Sequence, residues 1–548
     1  MAYFKEWFLE INKHPDKLQF WKRLLGDGWN RLEYEDTQWI ENILQKIHES
    51  FRTDGQSQLW DGKVVYAHEK IYRILKDDIC KSDIAFLDFY NPWMDWVFTN
   101  LMQMDIAHIY TKQCQSEILK ICGRRFNEIA CRTLINDMNI RKREGLCGDT
   151  PQEEYVYYCK TFLSQTEYHQ NLCRSYPVLV QLLDQASQDL MIFFDEIRQH
   201  LQQDKNKIIE QLCHQIPFEN IEDIECGIAD VHNGGRTVAK LHLDNGRVIF
   251  YKPHAMQQDR IFLNTYQWFC ETLGLEVRSV HMLIRKNYAW VEEIKYAECQ
   301  STEEIQLFYK RLGVWMFCCY ILSVGDMHYE NMIASGAYPM IIDMETVPGI
   351  ILLENTDTVQ KYGHWMDAKI ASSVLMTHLL PLFAEEQNGY NENVSAIGAK
   401  NGQILSLSIP VIEHPLTSDM CIVYKHPVIQ NNHASPRFHG QYVQEKTYMK
   451  DLLDGFKLAY RTGINQREQL LKMVEPLFDM KARVVLRDTQ EYQMVKMLAT
   501  YPMFLTSPEN RVMLLLTLKK QHKFSKEIQC QILTDEILNL YMQYVPVY

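Results

Sequence analysis

Long hydrophobic runs are missing from this sequence, and so is any excess of positive charge. The longest mainly apolar stretch, Gly313 to Val324 (GVWMFCCYILSV), has 12 residues. A membrane-crossing helix needs about 20, so this stretch is expected to be a buried helix rather than a span. No segment near the N-terminus has the basic-then-apolar form of a secretory signal. The expectation is therefore a cytoplasmic protein that is not integral to a membrane. Acidic residues outnumber basic ones, 70 to 57, for a net charge of -13 at pH 7. That balance disfavours nucleic acid and anionic membrane as main partners, and leaves room for a basic peptide or a cation–nucleotide complex. The 15 cysteines include no CxxC pair and no zinc-finger spacing. They read as reduced, mostly buried thiols. Internal repeats and low-complexity linkers are absent as well.

What is present suffices for several packed cores. Hydrophobic residues make up 46% and aromatic residues 12% of 548 positions. At about 150 residues per unit, three or four folding units are expected. Residues 1–215 read as mainly helical, with apolar residues at three- and four-residue spacing in FKEWFLEI, TQWIENILQKI and SEILKICGRRFNEIACRTLI. The aromatic stripe of Phe4, Trp7, Phe8, Phe20 and Trp21 reads as core, and no catalytic spacing occurs there. Thr150, Pro151 and Glu153 form a capping-box signature for one of these helices.

Near residue 224 the period changes to two. Asp244-Asn245-Gly246, between VAKLHL and RVIFYKP, is a hairpin signal, and His232-Asn233-Gly234-Gly235-Arg236 reads as an earlier turn. Gly234 and Gly235 let backbone amides approach phosphate oxygens with no Cβ in the way. Lys252 follows on the third strand, where a kinase holds nucleotide phosphates; the alternative is a solvated edge-strand lysine. Residues 259–273 read as a helix, with Glu271 one candidate partner for Lys252. YAWVEEI, residues 288–294, reads as a strand able to serve as the adenine hinge.

The chain centres on GDMHYENMIASGAYPMIIDMET, residues 325–346. Asp326 and Asn331 have the D-x4-N spacing of phosphoryl-transfer loops, with the Asp near the attacking hydroxyl and the Asn on a metal. MIAS and PMIID read as two strands around GAY, delivering Asp343 and Glu345 to a second metal position. Further on, SSVLMTHLLPLF reads as an apolar helix. NNHASPRFHG, residues 431–440, reads either as a mobile peptide-binding or activation loop or as a plain surface loop. In KARVVLRDTQEY, Arg483 and Arg487 bracket an apolar strand and share one face. They form either a phosphate clamp or two solvated cations.

Together, DVHNGGRTV, VIFYKP, GDMHYENMIASGAYPMIIDMET and RVVLRDTQEY resemble the dehydratase domain of class II lanthipeptide synthetases (LanM enzymes), from about residue 220 onward. The resemblance implies an α+β, kinase-like, lipid-kinase-related two-lobed core with a large helical N-terminal region and further C-terminal helices and strands. The expected division is 1–215 helical, 216–350 kinase-like core and 351–548 activation and elimination region. The implied activity is phosphorylation of Ser and Thr in a leader-bearing precursor peptide with ATP and Mg2+. Phosphate is then eliminated, with ADP retained, to leave dehydroalanine and dehydrobutyrine. By motif, Asp230, His232, Lys252, Asp326, His328, Asn331, Asp343 and Glu345 belong to nucleotide binding and phosphorylation, and Arg483 and Thr489 to elimination. His232 is also a candidate base. The sequence departs from the family at Gly325, where Ser is usual. It also lacks the Cys and His ligands of the zinc-dependent cyclase region that usually follows. No zinc is expected, a separate cyclase is an expected partner, and a stand-alone, split or truncated chain are open alternatives. The competing functions are a peptide kinase without elimination and an inactive peptide-binding scaffold.

Overall fold

The computed structural model describes residues 3–26, 29, 37–50, 55–60, 84–105, 108–227, 231–344, 346–347, 373–381, 393–430, 432–480, 486–487, 489–521 and 526–548. Eight helices lead the described chain: α1 (Tyr3–Asn12), α2 (Pro15–Leu25), α3 (Thr37–Ser50), α4 (Leu87–Met104), α5 (Lys112–Gly145), α6 (Pro151–Tyr158), α7 (Thr166–Ser175) and α8 (Pro177–Gln211). The expected capping box opens α6: the Thr150 hydroxyl accepts from the Glu153 amide, and the Glu153 carboxylate accepts from the Thr150 amide.

A five-stranded antiparallel sheet follows, built from β1 (Ile221–Cys226), β2 (Ala239–Leu243), β3 (Val248–Lys252), β4 (Met282–Ile284) and β5 (Ala289–Glu292) in the order β1-β2-β3-β5-β4. Lys252 therefore ends the central strand, not an edge strand. Alternation in VIFYK buries Ile249 and Tyr251. Tyr251 packs onto α8 and meets His200 Nδ1 at 2.9 Å. Asp204 of α8 is also buried there. Burial alone would raise its carboxyl, but Arg285, Tyr288 and Trp290 donate to it and hold it below the ordinary range.

Helix α9 (Gln257–Thr272) connects β3 to β4, and α10 (Thr302–Ile321) follows β5, capped by Ser301. Next come the hairpin β6 (Met332–Ser335) and β7 (Tyr338–Ile341), then β8 (Ile409–Glu413) paired with β9 (Cys421–Lys425), and the short pair β10 (Arg437–Phe438) and β11 (Gln441–Tyr442). Helices α11 (Met449–Asn465), α12 (Arg467–Val474), α13 (Thr489–Leu498), α14 (Pro508–Leu515) and α15 (Lys526–Tyr541) complete the described chain.

Two large hydrophobic cores organise these elements, with a small third cluster of Met256, Ala289 and Val291 beside the sheet. The larger joins the N-terminal helices, one face of the sheet, and α13 to α15. The smaller joins α9, α10, the β6–β7 hairpin, α11 and α12. Its tightest crossing is α10 on α11. A Cβ on Gly313 would stand 2.0 Å from the Leu452 carbonyl oxygen, and one on Gly455 would stand 1.9 Å from that of Lys310.

Two local expectations change, and a third falls outside the described residues. In SSVLMTHLLPLF the described helical part is only the 3-10 turn Val374–Thr377, opened by the Ser373 hydroxyl and ended by His378 at φ +60°. The 432–440 segment is packed at its start and exposed at His433, His439 and Gly440. Asn432, Ala434 and Ser435 are buried, the Ala334 amide of β6 donates to the His433 carbonyl at 2.7 Å, and the segment runs into β10. Its Asn and Ser satisfy buried backbone groups, as where Asn432 Nδ2 donates to the Ala399 carbonyl. The RVVL stretch read as a strand lies, apart from Leu486, outside the described residues, Arg483 included. Fourteen described cysteines are free, and among the described residues no helix is long and apolar enough to cross a membrane.

Candidate functional site

The loop after α10 turns sharply at Asp326, whose φ of +64° is a conformation that Asp tolerates better than most residues. Met327 is the buried anchor, its amide donating to the Thr377 carbonyl at 3.0 Å. The turn leaves the Asp326 carboxylate half exposed, at 52% of its side-chain surface. Asn331 locks the loop by donating from Nδ2 to the Asp326 carbonyl at 2.8 Å. The His328 ring lies within 3.3 Å of that amide and 3.8 Å of the Asp326 carboxylate. Asp326, His328 and Asn331 thus form one cluster.

Hairpin geometry adds the next members. Met332 pairs with Ile341, and the Ile342 amide donates to the Asn331 carbonyl at 3.0 Å, so Asp343 emerges beside Asn331. Lys252 reaches this point from the central strand. Its Nζ donates to the Ile342 carbonyl at 2.7 Å and lies 3.8 Å from Asp343 Oδ2. Lys252 is only 7% exposed.

One further member was not singled out in the sequence. Asp259, in the first turn of α9, is 2% exposed, and its Oδ1 has no hydrogen-bond partner among the described residues. Burial pushes its carboxyl up to about 6; Lys252 opposes that rise and Asp343 adds to it. Asp259, not Glu271, is therefore the α9 carboxylate that faces Lys252. Glu271 lies near the far end of the helix, is exposed, and accepts from Gln267. A buried acid before the first apolar position of α9 was the available signal.

Asn331 and Asp343 offer hard oxygen donors in small number. That set fits Mg2+, which keeps much of its water and shares phosphate oxygens, better than an all-protein cage. The orphaned Asp259 oxygen beside Lys252 and Asp343 likewise fits a site completed by a polar guest. Among the described residues there is no group of three or more His, Cys, Asp or Glu placed to hold a metal. Glu345 and Asp230 lie outside the described residues.

The His232 turn is built differently. His232 and Arg236 pair through their backbones, enclosing a 3-10 turn with Gly234 at φ +73° and Gly235 at φ +70°. A Cβ on Gly235 would lie 2.8 Å from Asp189 Cβ of α8. Arg236 forms an ion pair with Glu196 of the same helix. His232 Nδ1 meets the Val545 carbonyl at 3.2 Å, and a carbonyl only accepts, so the proton sits on Nδ1 in this contact. The partners of the Lys252 ammonium, the Ile342 carbonyl and Asp343, lie on the hairpin side rather than in this turn.

Thr489 is the first residue of α13 and is half-buried. Arg487 is not the open clamp partner of Arg483. It is buried against Glu536, with Nε to Oε1 at 2.7 Å, and also donates to the Leu518 carbonyl at 2.6 Å; Tyr492 completes the cluster on Glu536. Its charge is committed within the fold.

The comparisons agree with the motifs. The chain is 23% identical over 448 residues to the lacticin 481/lactococcin biosynthesis protein LcnDR2 of Lactococcus lactis subsp. lactis. The match covers 78% of this chain and 46% of that protein, so the chain spans about half the length of the curated relative it matches. The resemblance to the lanthipeptide synthetases is borne out by this relative. A family model described as "Domain of unknown function (DUF4135)" matches residues 176–548, which takes in the sheet, the Asp326 loop and the Thr489 helix, and the chain belongs to that family.

Proposed function

We propose that the chain dehydrates Ser and Thr side chains of a lanthipeptide precursor, by phosphorylation and then elimination, on a kinase-like two-lobed core. One observation carries the reading. Two separate stretches of the chain, 252–259 and 326–343, bring Lys252, Asp259, Asp343, Asn331 and Asp326 to one place, with a buried cation facing acids of unequal exposure. That is the composition a phosphoryl-transfer site needs. The similarity to a lacticin 481/lactococcin biosynthesis protein supplies the substrate class.

Bound Mg2+ and ATP supply a transferable phosphoryl group and neutralise its charge. In this reading Asn331 and Asp343 hold the cation, and Lys252 and the backbone amides of the Gly234–Gly235 turn bind nucleotide phosphates. The exposed Asp326 carboxylate orients the acceptor hydroxyl and takes its proton. His328 holds the Asp326–Asn331 loop in register. In the second step the Cα proton passes to a base as the Cβ–O bond breaks and phosphate departs. Arg483 and Thr489 bind the departing phosphate; His232, with its proton held on Nδ1, presents Nε2 as the base.

Asp343→Asn keeps the side-chain volume and removes the metal-binding charge. With ATP, Mg2+ and a leader-bearing precursor, mass spectrometry of that variant is expected to show unmodified peptide, while circular dichroism matches the wild type. Dehydrated product at the wild-type rate would remove Asp343 from the site.

A further inference from the structure

The segment after α15 leaves the helix and crosses the His232 turn. Gln543 takes a positive φ of +65°, and the next two residues are buried, Tyr544 at 7% and Val545 at 1% exposure. Val545 pairs with the turn in both directions: its amide donates to the Val231 carbonyl at 2.9 Å, and its carbonyl receives His232 Nδ1. The Tyr544 hydroxyl donates to Asp189, the α8 residue on which Gly235 rests. Asp189 is itself buried and accepts from Gln185 at 2.9 Å. On the other side, Gln543 Nε2 donates to the Lys496 carbonyl of α13 at 3.2 Å. The same three residues therefore touch the glycine turn and the helix that Thr489 begins.

We propose that Gln543–Val545 is a strap that positions the His232 turn and couples it to α13, with Tyr544 and Asp189 as its positioning residues. The strap fixes two things the turn cannot fix alone. A turn with two glycines has many backbone states, and the Val231–Val545 pairing removes most of them. A histidine has two neutral tautomers, and the Val545 carbonyl selects the one with its proton on Nδ1. Coupling to α13 means that order at the turn and order at Thr489 rise and fall together. The inference rests on the reading above in one respect only, that the turn serves a nucleotide.

The test uses the full chain as Tyr544→Phe, as Asp189→Ala, and as a control, Trp39→Phe. The control loses a side-chain hydrogen bond to the neutral hydroxyl of Thr534 on α15, away from the turn. Hydrogen exchange is followed without nucleotide over 231–238 and 489–498, and Mg2+–ATP binding is measured by calorimetry. Tyr544→Phe and Asp189→Ala are each expected to speed exchange in both segments by about tenfold and to weaken Mg2+–ATP by a similar factor, the worth of one hydrogen bond to a charged acceptor. The control is expected to change neither. Wild-type exchange at 231–238 in both variants, or faster exchange there with 489–498 unchanged, would overturn the strap. Wild-type protein that binds no Mg2+–ATP would overturn the nucleotide reading instead, leaving the exchange result to decide the strap. Should Tyr544→Phe not fold, Asp189→Ala tests the same link from its other end.

Discussion

At the scale of single residues, the site depends on one buried cation and the acids around it. Lys252 at 7% exposure is stabilised by a carbonyl and by carboxylates that share its enclosure. Asp259 bears the cost of that arrangement, with its carboxyl raised to about 6 by burial. The sign of the consequence is fixed. Below pH 4 the carboxyl is protonated in both folded and unfolded chains. Between about 4 and 6 the unfolded chain ionises first, so stability falls as pH rises, and above 6 the full cost is present. Asp259→Asn is therefore expected to raise stability to urea by roughly 1–3 kcal/mol at pH 8, with no gain below pH 4. It should also slow phosphorylation, because Lys252 loses an anchoring charge. A variant less stable than wild type at pH 8 would show that pairing with Lys252 outweighs burial. The D-x4-N spacing and the strand lysine were legible in the sequence because their chemistry is local. The partner of Lys252 was not, because choosing Asp259 over Glu271 requires knowing which turn of α9 meets the end of β3.

At the scale of elements, period and punctuation were enough to find β2, β3, β5, the β6–β7 hairpin, the α6 capping box and the buried helix α10, but not β4 or the short strands β8 to β11. Close packing was not readable in the same way. Gly313 and Gly455 sit inside helices, where glycine normally weakens the helix, and only the crossing explains them. Gly455→Ala puts a methyl group against the backbone of α10. The helices must separate, and the hairpin carrying Asp343 moves with α10 through Trp315, whose Nε1 donates to the Pro339 carbonyl. We expect that variant to lose stability by a few kcal/mol and to lose phosphorylation with it. A melt within one degree of wild type would contradict the packing. Arg487 gives the opposite lesson. Its spacing from Arg483 left a clamp or a solvated cation open, and Glu536, 49 residues on, takes its charge instead. Glu536→Ala strands a buried guanidinium and is expected to cost about 3–5 kcal/mol, seen as faster hydrogen exchange across α13 and α15.

At the scale of the whole molecule, the chain joins two cores. One runs from the N-terminal helices through the sheet to the last helices, and the other encloses the Asp326 loop and its hairpin. Lys252 lies where a strand of the first meets a hairpin of the second. This union of distant segments was invisible to periodicity, which assigns elements but not neighbours. The family resemblance supplied the division into a phosphorylating cluster and an elimination cluster, and that division is the central claim.

Arg483→Ala, incubated with ATP, Mg2+ and a leader-bearing precursor and followed by mass spectrometry, tests it most directly. Loss of the cation that receives phosphate should slow elimination by about 100-fold or more while leaving phosphorylation intact. The account predicts accumulated phosphopeptide, with a gain of about 80 Da per site and little loss of water. Dehydration at the wild-type rate, or failure of phosphorylation itself, would contradict the division of labour.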